Sequence, residues 1–212
     1  MQQLNALLRG EREPDADMMS LIEEMMAQEA LSINKCRRDF IDELVPIFTR
    51  FHNAITGGSE PVSLNYRSHL NDGNLPDMLR ASRSDDRRLG HTSKGVHRDE
   101  LAMLLGGYPL RREGSQGQNK TFLVSLKLAQ YDFLRTKGGE MPLLLLDDIF
   151  DKLDSYRVEH IISLVSGDGF GQIFITDVNR EHIDNILEHV TGEYRLFGVE
   201  NGNVALLKER NG

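Results

Sequence analysis

The sequence predicts an α/β fold in which a parallel sheet flanked by helices is joined to a mostly helical arm. Two short apolar runs, residues 142–146 and 172–176, alternate with segments of helical period, the grammar of parallel strands joined by crossover helices. Upstream, no glycine occurs between Gly10 and Gly57, and apolar residues there recur in steps of three and four, as on one face of a helix. The chain closes on two strand-like segments that turn at Asn201-Gly202.

The arm comes first and is expected to fill residues 1–92. Met18, Leu21, Ile22 and Met25, then Ile33, Cys36, Phe40, Leu44, Ile47, Phe51 and Ile55, fall on one helical stripe, the pattern of a single buried face. Asp15 or Asp17 can cap its start after Pro14, and Gly57-Gly58 ends it. A helix over about residues 15–56 is expected, with Pro46 a point of kinking or breakage. At 1.5 Å per residue such a helix is about 60 Å long, and two antiparallel core helices would fit the same pattern. Cys36 lies on the stripe and reads as core packing. Residues 61–66 alternate like a strand, 75–89 return to helical spacing, and 92–110 read as a hairpin broken by Gly106-Gly107.

Residues 93–212 are expected to form the second domain. Phe122, Leu123, Leu126, Leu128, Ala129 and Phe133 mark a helix ended by Gly138-Gly139. Residues 142–146 form a continuous apolar run, the mark of a strand buried on both faces. Residues 158–165 are helical, 172–176 a second buried strand and 180–190 another helix, before strands at 194–199 and 203–207.

Composition narrows the class. With 212 residues, 39% of them apolar and 27% charged, the chain reads as globular. No apolar run approaches the roughly 20 residues of a membrane span. A basic start followed by an apolar stretch is also missing, and the lone Cys36 excludes a disulfide framework or a multi-thiolate metal site. A cytoplasmic protein is expected. The net charge of −8 conceals a basic middle, since residues 67–120 carry 10 Lys+Arg against 7 Asp+Glu between acidic flanks. Within it, Arg87, Arg88, Lys94 and Arg98 are candidate contacts to the phosphates of duplex DNA. A solvated helix face interrupted by Asp85 and Asp86 accounts for the same charges. Aromatic residues are 7% and tryptophan is absent, which disfavours stacking on single strands.

The chemistry concentrates at Leu143-Leu144-Leu145-Leu146-Asp147-Asp148. Two carboxylates at the C-terminal end of a buried strand stand where open α/β sheets place their ligands. In the Walker B arrangement the first acid holds Mg²⁺ and the second polarises the attacking water. Upstream, Gly114-Ser115-Gln116-Gly117-Gln118 opens a helix with a hydroxyl and several free N–H groups, which suits a phosphate. Downstream, Asp151-Lys152-Leu153-Asp154 leads into another helix that Asp154 can cap. His97-Arg98-Asp99 does not make a kinase catalytic loop, because Leu104 stands where its asparagine is required.

Taken in order, Ser-Gln-Gly-Gln, Leu-Leu-Leu-Leu-Asp-Asp and x-x-Leu-Asp resemble the ABC-type ATPases of chromosome maintenance and repair, and within them the RecF family. Gly95-Val96-His97-Arg98-Asp99-Glu100-Leu101 is similar to that family's Gly-Pro-His-Arg-Asp-Asp-Leu stretch, and Leu4-Asn5-Ala6-Leu7-Leu8 resembles its arm region. The resemblance implies the C-terminal part of an ABC-type P-loop ATPase head carrying a helical arm. Asp147 would coordinate Mg²⁺ and Asp148 would be the catalytic carboxylate. Ser115, Gln116, Gly117 and Gln118 would form the signature facing the γ-phosphate held by the other subunit, so that ATP is sandwiched in a homodimer. Asp154 would belong to the D-loop, and the switch position falls at Thr176-Asp177, where transporters carry a histidine.

The resemblance also implies ATP-controlled binding of duplex DNA near gaps, recombinase loading with RecR- and RecO-type mediators, and a role in recombinational repair and the SOS response. No Gly-x-x-x-x-Gly-Lys-Ser/Thr occurs in the chain, so nothing in it cradles the β- and γ-phosphates. The chain therefore looks like part of a longer protein, and alone it is expected not to hydrolyse ATP. The alternative is a non-catalytic interaction module with a vestigial acid pair.

Overall fold

Residues 1–10, 14–190 and 192–211 are described by the structure, a computed structural model. They fall into two units, one of residues 1–45 with 63–104, the other of 46–62 with 105–212.

In the first unit, α1 (Gln2–Arg9) buries Leu4 and Leu8, which pack with Met19. Asp15 caps α2 (Ala16–Thr56): its Oδ1 accepts the N–H groups of Asp17 and Met18, each at 2.9 Å. The helix runs unbroken through Pro46. Pro46 and Asp42 are both exposed, so water can satisfy the carbonyl that the proline deprives of a partner.

The buried face of α2 in this unit is only in part the one the apolar spacing picks: Leu44 is buried and Ile22 packs on the Leu4, Leu8 and Met19 cluster, but most of the stripe is not covered. Met18, Leu21 and Met25 are 52%, 59% and 58% exposed, and Cys36 is exposed as well, so it does not pack in a core. Met19, Glu23, Ala27, Ala30 and Asn34 are buried instead. Ala27 and Ala30 pack on Leu75 and Leu79 of α3 (Leu75–Leu89), where small side chains permit a close approach. Glu23 is tolerated inside because Arg83 of α3 meets both its oxygens, Nε–Oε1 at 2.8 Å and Nη2–Oε2 at 2.7 Å; a fork-to-fork pair replaces much of the hydration lost.

Asn74 caps α3 at its start, and Gly90 ends it in the left-handed region (φ 70°). β1 (Val62–Arg67) and β2 (Glu100–Leu105) are neighbours in a small sheet. The segment before β2 is pinned from α2 and α3. Arg37 donates to the Val96 carbonyl at 2.6 Å and to Asp99 Oδ2 at 2.7 Å, and Asp86 Oδ1 accepts from the Ser93 N–H at 2.9 Å.

In the second unit, Gly106 and Gly107 (φ 57° and 85°) turn the chain into β3 (Tyr108–Pro109) and α4 (Leu110–Glu113). Two positive φ values in succession are what a tight hairpin turn of this hand needs. There follow α5 (Gln116–Gly138), β4 (Leu144–Asp147), α6 (Ser155–Val165), β5 (Ile173–Thr176), α7 (Arg180–His189), β6 (Tyr194–Glu200) and β7 (Asn203–Arg210).

Phe48, Phe51 and Ile55 of α2 enter this unit's core. The Phe48 ring lies 4.7 Å from Phe122 of α5, and Tyr131 stacks on Phe170 at 4.7 Å. β4 and β5 pair in parallel, Leu144 opposite Ile173 and Asp147 opposite Thr176. β6 and β7 pair antiparallel around Asn201-Gly202.

The expectation that 142–146 and 172–176 are buried on both faces is corrected. Leu144 and Leu146 face inward at 5% and 1% exposure, but Leu143, Leu145 and Phe174 remain 62%, 61% and 50% exposed. Strand side chains alternate between faces, and in this chain only one face of the β4–β5 pair is covered.

Candidate functional site

The acid pair sits where β4 ends. Asp147 is opposite Thr176 of β5, whose Oγ1 donates to Asp147 Oδ1. Asp148 is the first residue past the strand and takes a left-handed backbone (φ 46°), uncommon for a residue other than glycine but better tolerated by aspartate than by most. Its peptide groups are held on both sides. The N–H donates to the Thr176 carbonyl at 3.1 Å and Oγ1 at 3.2 Å, and the C=O accepts from Lys120 Nζ of α5 at 2.7 Å. Both acids are exposed. The backbone is thus fixed while the carboxylates face outward, an arrangement that pre-positions them for a ligand.

At the start of α5, Ser115 and Gln118 form a reciprocal capping box. Ser115 Oγ accepts the Gln118 N–H at 3.2 Å, and Gln118 Oε1 accepts the Ser115 N–H at 2.9 Å. The Ser115 hydroxyl hydrogen remains free to donate. The N–H groups of Gln116 and Gly117 precede the first bond of the helix, so they and the positive end of its dipole present a ready anion site. Asp154 caps α6, its Oδ1 accepting the Arg157 N–H at 2.9 Å. The two turns adjoin: a Cβ added to Gly117 would stand 3.1 Å from the Lys152 carbonyl oxygen.

Ser115, Gln116, Gly117, Gln118, Asp147, Asp148, Asp154 and Thr176 therefore all lie in the second unit, on adjoining strand ends and helix starts. Arg87, Arg88, Lys94 and Arg98 lie in the first. Arg87 and Arg88 occupy the last turn of α3, where cations complement the helix dipole, and Arg88 also pairs with Asp85. The neighbouring Arg83 is committed to Glu23, and Arg80 pairs with Asp77 at 3.0 Å. Among the described residues Arg87, Lys94 and Arg98 form no ion pair.

Sequence reasoning missed three residues of this site: Glu60, Lys120 and Arg157. Lys120 follows the 115–118 turn closely, but nothing in the spacing distinguishes it from a solvated helix lysine. Glu60 and Arg157 are 97 positions apart, so no local pattern could have joined them.

Among the described residues, no group of three or more His, Cys, Asp or Glu converges on a point. A closed protein cage for a metal is therefore not what this site offers. Mg²⁺ keeps several waters and takes one or two carboxylates beside phosphate oxygens, and an exposed Asp147 oriented by Thr176 fits that mode. Among the described residues, no helix is long and apolar enough to cross a membrane.

Comparison with known proteins bears on the fold and the family. No protein-family model matches the chain. The fold is that of an ABC/SMC-type ATPase, shared with two solved structures. One, of the recombination mediator protein RecF-ATPrS in the RecFOR pathway, superposes with a TM-score of 0.74 at 28% identity, over 98% of this chain and 56% of that one. The other, of RecF-ATP in the same pathway, gives 0.75 at 25% identity, over 98% and 55%.

Within that class the chain matches a segment of the RecF proteins. It is 54% identical over 208 residues to the DNA replication and repair protein RecF of Phocaeicola vulgatus, covering 98% of this chain and 56% of the relative. The RecF of Bacteroides fragilis is 51% identical over the same length. The chain spans about half the length of the curated relatives it matches.

Proposed function

We propose that this chain supplies the signature and the catalytic carboxylate of an ATP-hydrolysing head in a RecF-type DNA replication and repair protein. The observation that carries the proposal is the end of the β4–β5 pair: Asp147 oriented by Thr176, and Asp148 held through its peptide groups with its carboxylate outward. RecF structures with ATP and ATPrS among the neighbours support ATP as the nucleotide.

Asp147 takes the metal position and Asp148 accepts the proton of the attacking water. Mg²⁺ bound with the nucleotide would neutralise charge developing on the phosphates. Ser115 donates its hydroxyl, and Gln116 and Gly117 their N–H groups, to the γ-phosphate held by a second copy, while Gln118 fixes the Ser115 backbone. Asp154 shapes the turn that crosses between copies, and Thr176 senses the phosphate where a histidine stands in transporters. The nucleotide closes a homodimer through the heads, and hydrolysis reopens it.

In the first unit, Arg87, Lys94 and Arg98, with Arg88 beside them, follow the phosphates of duplex DNA. The cellular role is recombinase loading at gaps, with RecR- and RecO-type mediators, in recombinational repair and the SOS response in the cytoplasm. This chain corresponds to the C-terminal part of the head and does not hydrolyse ATP alone.

The test is a chimera in which this chain replaces the segment it matches in the P. vulgatus RecF. Mg-ATP turnover by the chimera, none by the 212-residue chain and turnover lower by about a hundredfold or more in the chimera carrying Asp148→Asn is the expected set. Turnover that Asp148→Asn leaves unchanged, or a well-folded chimera that neither hydrolyses ATP nor binds duplex DNA, would leave the non-catalytic module as the better reading.

A further inference from the structure

Arg157 is 83% removed from solvent, its side chain being 17% exposed, and it ties the cap of its own helix to two other segments of the second unit. Its Nη2 donates to Glu60 Oε1 at 2.8 Å, its Nη1 to Thr121 Oγ1 at 2.8 Å, and its Nε lies 3.2 Å from Asp154 Oδ2. Each partner leads to the signature turn or to the turn before α6. Glu60 Oε1 also accepts from Gln118 Nε2 at 3.1 Å, and the same Gln118 side chain holds the Ser115 N–H. Thr121, fully buried, donates to the Gly117 carbonyl at 2.9 Å. Two hydrogen-bonded routes therefore run from the cap of α6 to the two ends of the 115–118 turn, and both pass through one guanidinium.

The arrangement is more demanding than packing requires. Glu60 Oε2 is buried with no partner among the described residues, a state that costs free energy unless other bonds hold the carboxylate in place. A lysine could not replace the arginine, since a point charge on a flexible stem cannot serve three acceptors held in a planar fork.

We infer that Arg157 is a positioning residue that couples the Asp154 turn to the Ser115-Gln118 turn, with Glu60 as its anchor, so that a displacement of either turn is imposed on the other. The inference rests on the reading of these turns as D-loop and signature. What it adds is the connection inside one copy: a phosphate seated on the signature draws the Asp154 turn with it, and both turns settle together when the dimer closes.

Hydrogen exchange on the 212-residue chain tests the coupling without any turnover. Gln118→Ala should raise exchange about tenfold at the Val158 N–H, which bonds the Asp154 carbonyl, the size of effect one lost hydrogen bond gives. In an Arg157→Ala background the same substitution should leave Val158 unchanged, because the connection is already cut. Glu60→Gln, which keeps an acceptor at Oε1, should preserve the coupling, and Arg157→Lys should not. Exchange at Leu128, in the middle of α5, serves as the control for general unfolding.

In the chimera, Arg157→Ala should lower kcat about tenfold with KM changed less than about twofold, the pattern of an interaction that matters after substrate is bound. Equal responses at Val158 with and without Arg157, or a kcat unaffected by its loss, would overturn the inference. A chimera without turnover whose exchange coupling is intact would instead defeat the ATPase reading and leave the coupling standing.

Discussion

Set side by side, the buried acids of the first unit and the acid pair of the second use charge in opposite ways, although Glu60 and Asp132 show that the second unit also buries paired acids. In the first, acids are taken inside and closed off: Glu23 is 2% exposed under the Arg83 fork, and the Asp99 side chain is 3% exposed between Arg37 and Tyr66. In the second, Asp147 and Asp148 are kept at the surface while their backbone is tied down. An acid buried against a cation can do little except hold its neighbours in register. An acid whose peptide is fixed and whose carboxylate is free can meet a metal or a water. The difference separates residues that maintain the fold from residues available for chemistry, and it can be tested by breaking each kind.

The largest effect is expected at the exposed pair. Asp148→Asn in the chimera should lower ATP turnover by 10²–10⁴, roughly the range for loss of a general base, with no shift in melting temperature. A fall in stability of the same size as the loss of activity would mean that the acid is structural after all.

Breaking the buried pair should do the reverse. Arg83→Ala leaves Glu23 charged and unpartnered, which costs about 3–5 kcal/mol, read as a lower denaturant midpoint of the first unit in the 212-residue chain. Replacing both residues by Met and Leu should recover most of that loss, since the penalty belongs to the unpaired charge and not to the position.

His52 sharpens the comparison within the second unit. It is 1% exposed, lies between Phe48 and Phe122 with centroids 5.9 and 6.2 Å away, and neither ring nitrogen has a partner among the described residues. Burial pushes its pKa below the ordinary histidine value. The unfolded chain therefore takes up a proton near pH 6.5 that the folded chain resists. Stability should accordingly fall as pH drops through that value, by at most about 1.4 kcal/mol per pH unit. His52→Leu should flatten this part of the stability–pH curve; an unchanged slope in the variant would refute it.

The smallest effect is expected in the basic middle. Lys94→Gln or Arg98→Gln should each reduce the salt slope of duplex-DNA binding by about one, whereas Arg80→Gln, at a residue already paired with Asp77, should leave the slope as it is.

Where the signal was local, the sequence was enough for the local structure. The capped turn at 115–118, the acid pair ending β4 and the Asp154 cap are each read from a handful of consecutive residues, and each appears with its hydrogen bonds in place. What was illegible depends on distant partners. The stripe of α2 was in part misassigned because its inward face carries Ala27, Ala30 and Glu23, which look unfit for a core until Leu75, Leu79 and Arg83 are set against them. Apolar runs in β4 and β5 showed that the strands are greasy, but not which face has a cover. Arg157 and Glu60 carry no motif at all, and only the fold shows that they meet.

The bare face of β4 and β5 has a consequence for handling the polypeptide. Leu143, Leu145 and Phe174 form a contiguous oily strip on a strand pair whose outer edges carry no further strand among the described residues. Such a strip is an adhesive for other copies of itself. The purified 212-residue chain should therefore cluster as it is concentrated and disperse on chilling, because hydrophobic attraction weakens in the cold. Any assay of this chain is in part a measurement of its colloidal state, and a single lysine at position 145 should be enough to keep it dispersed.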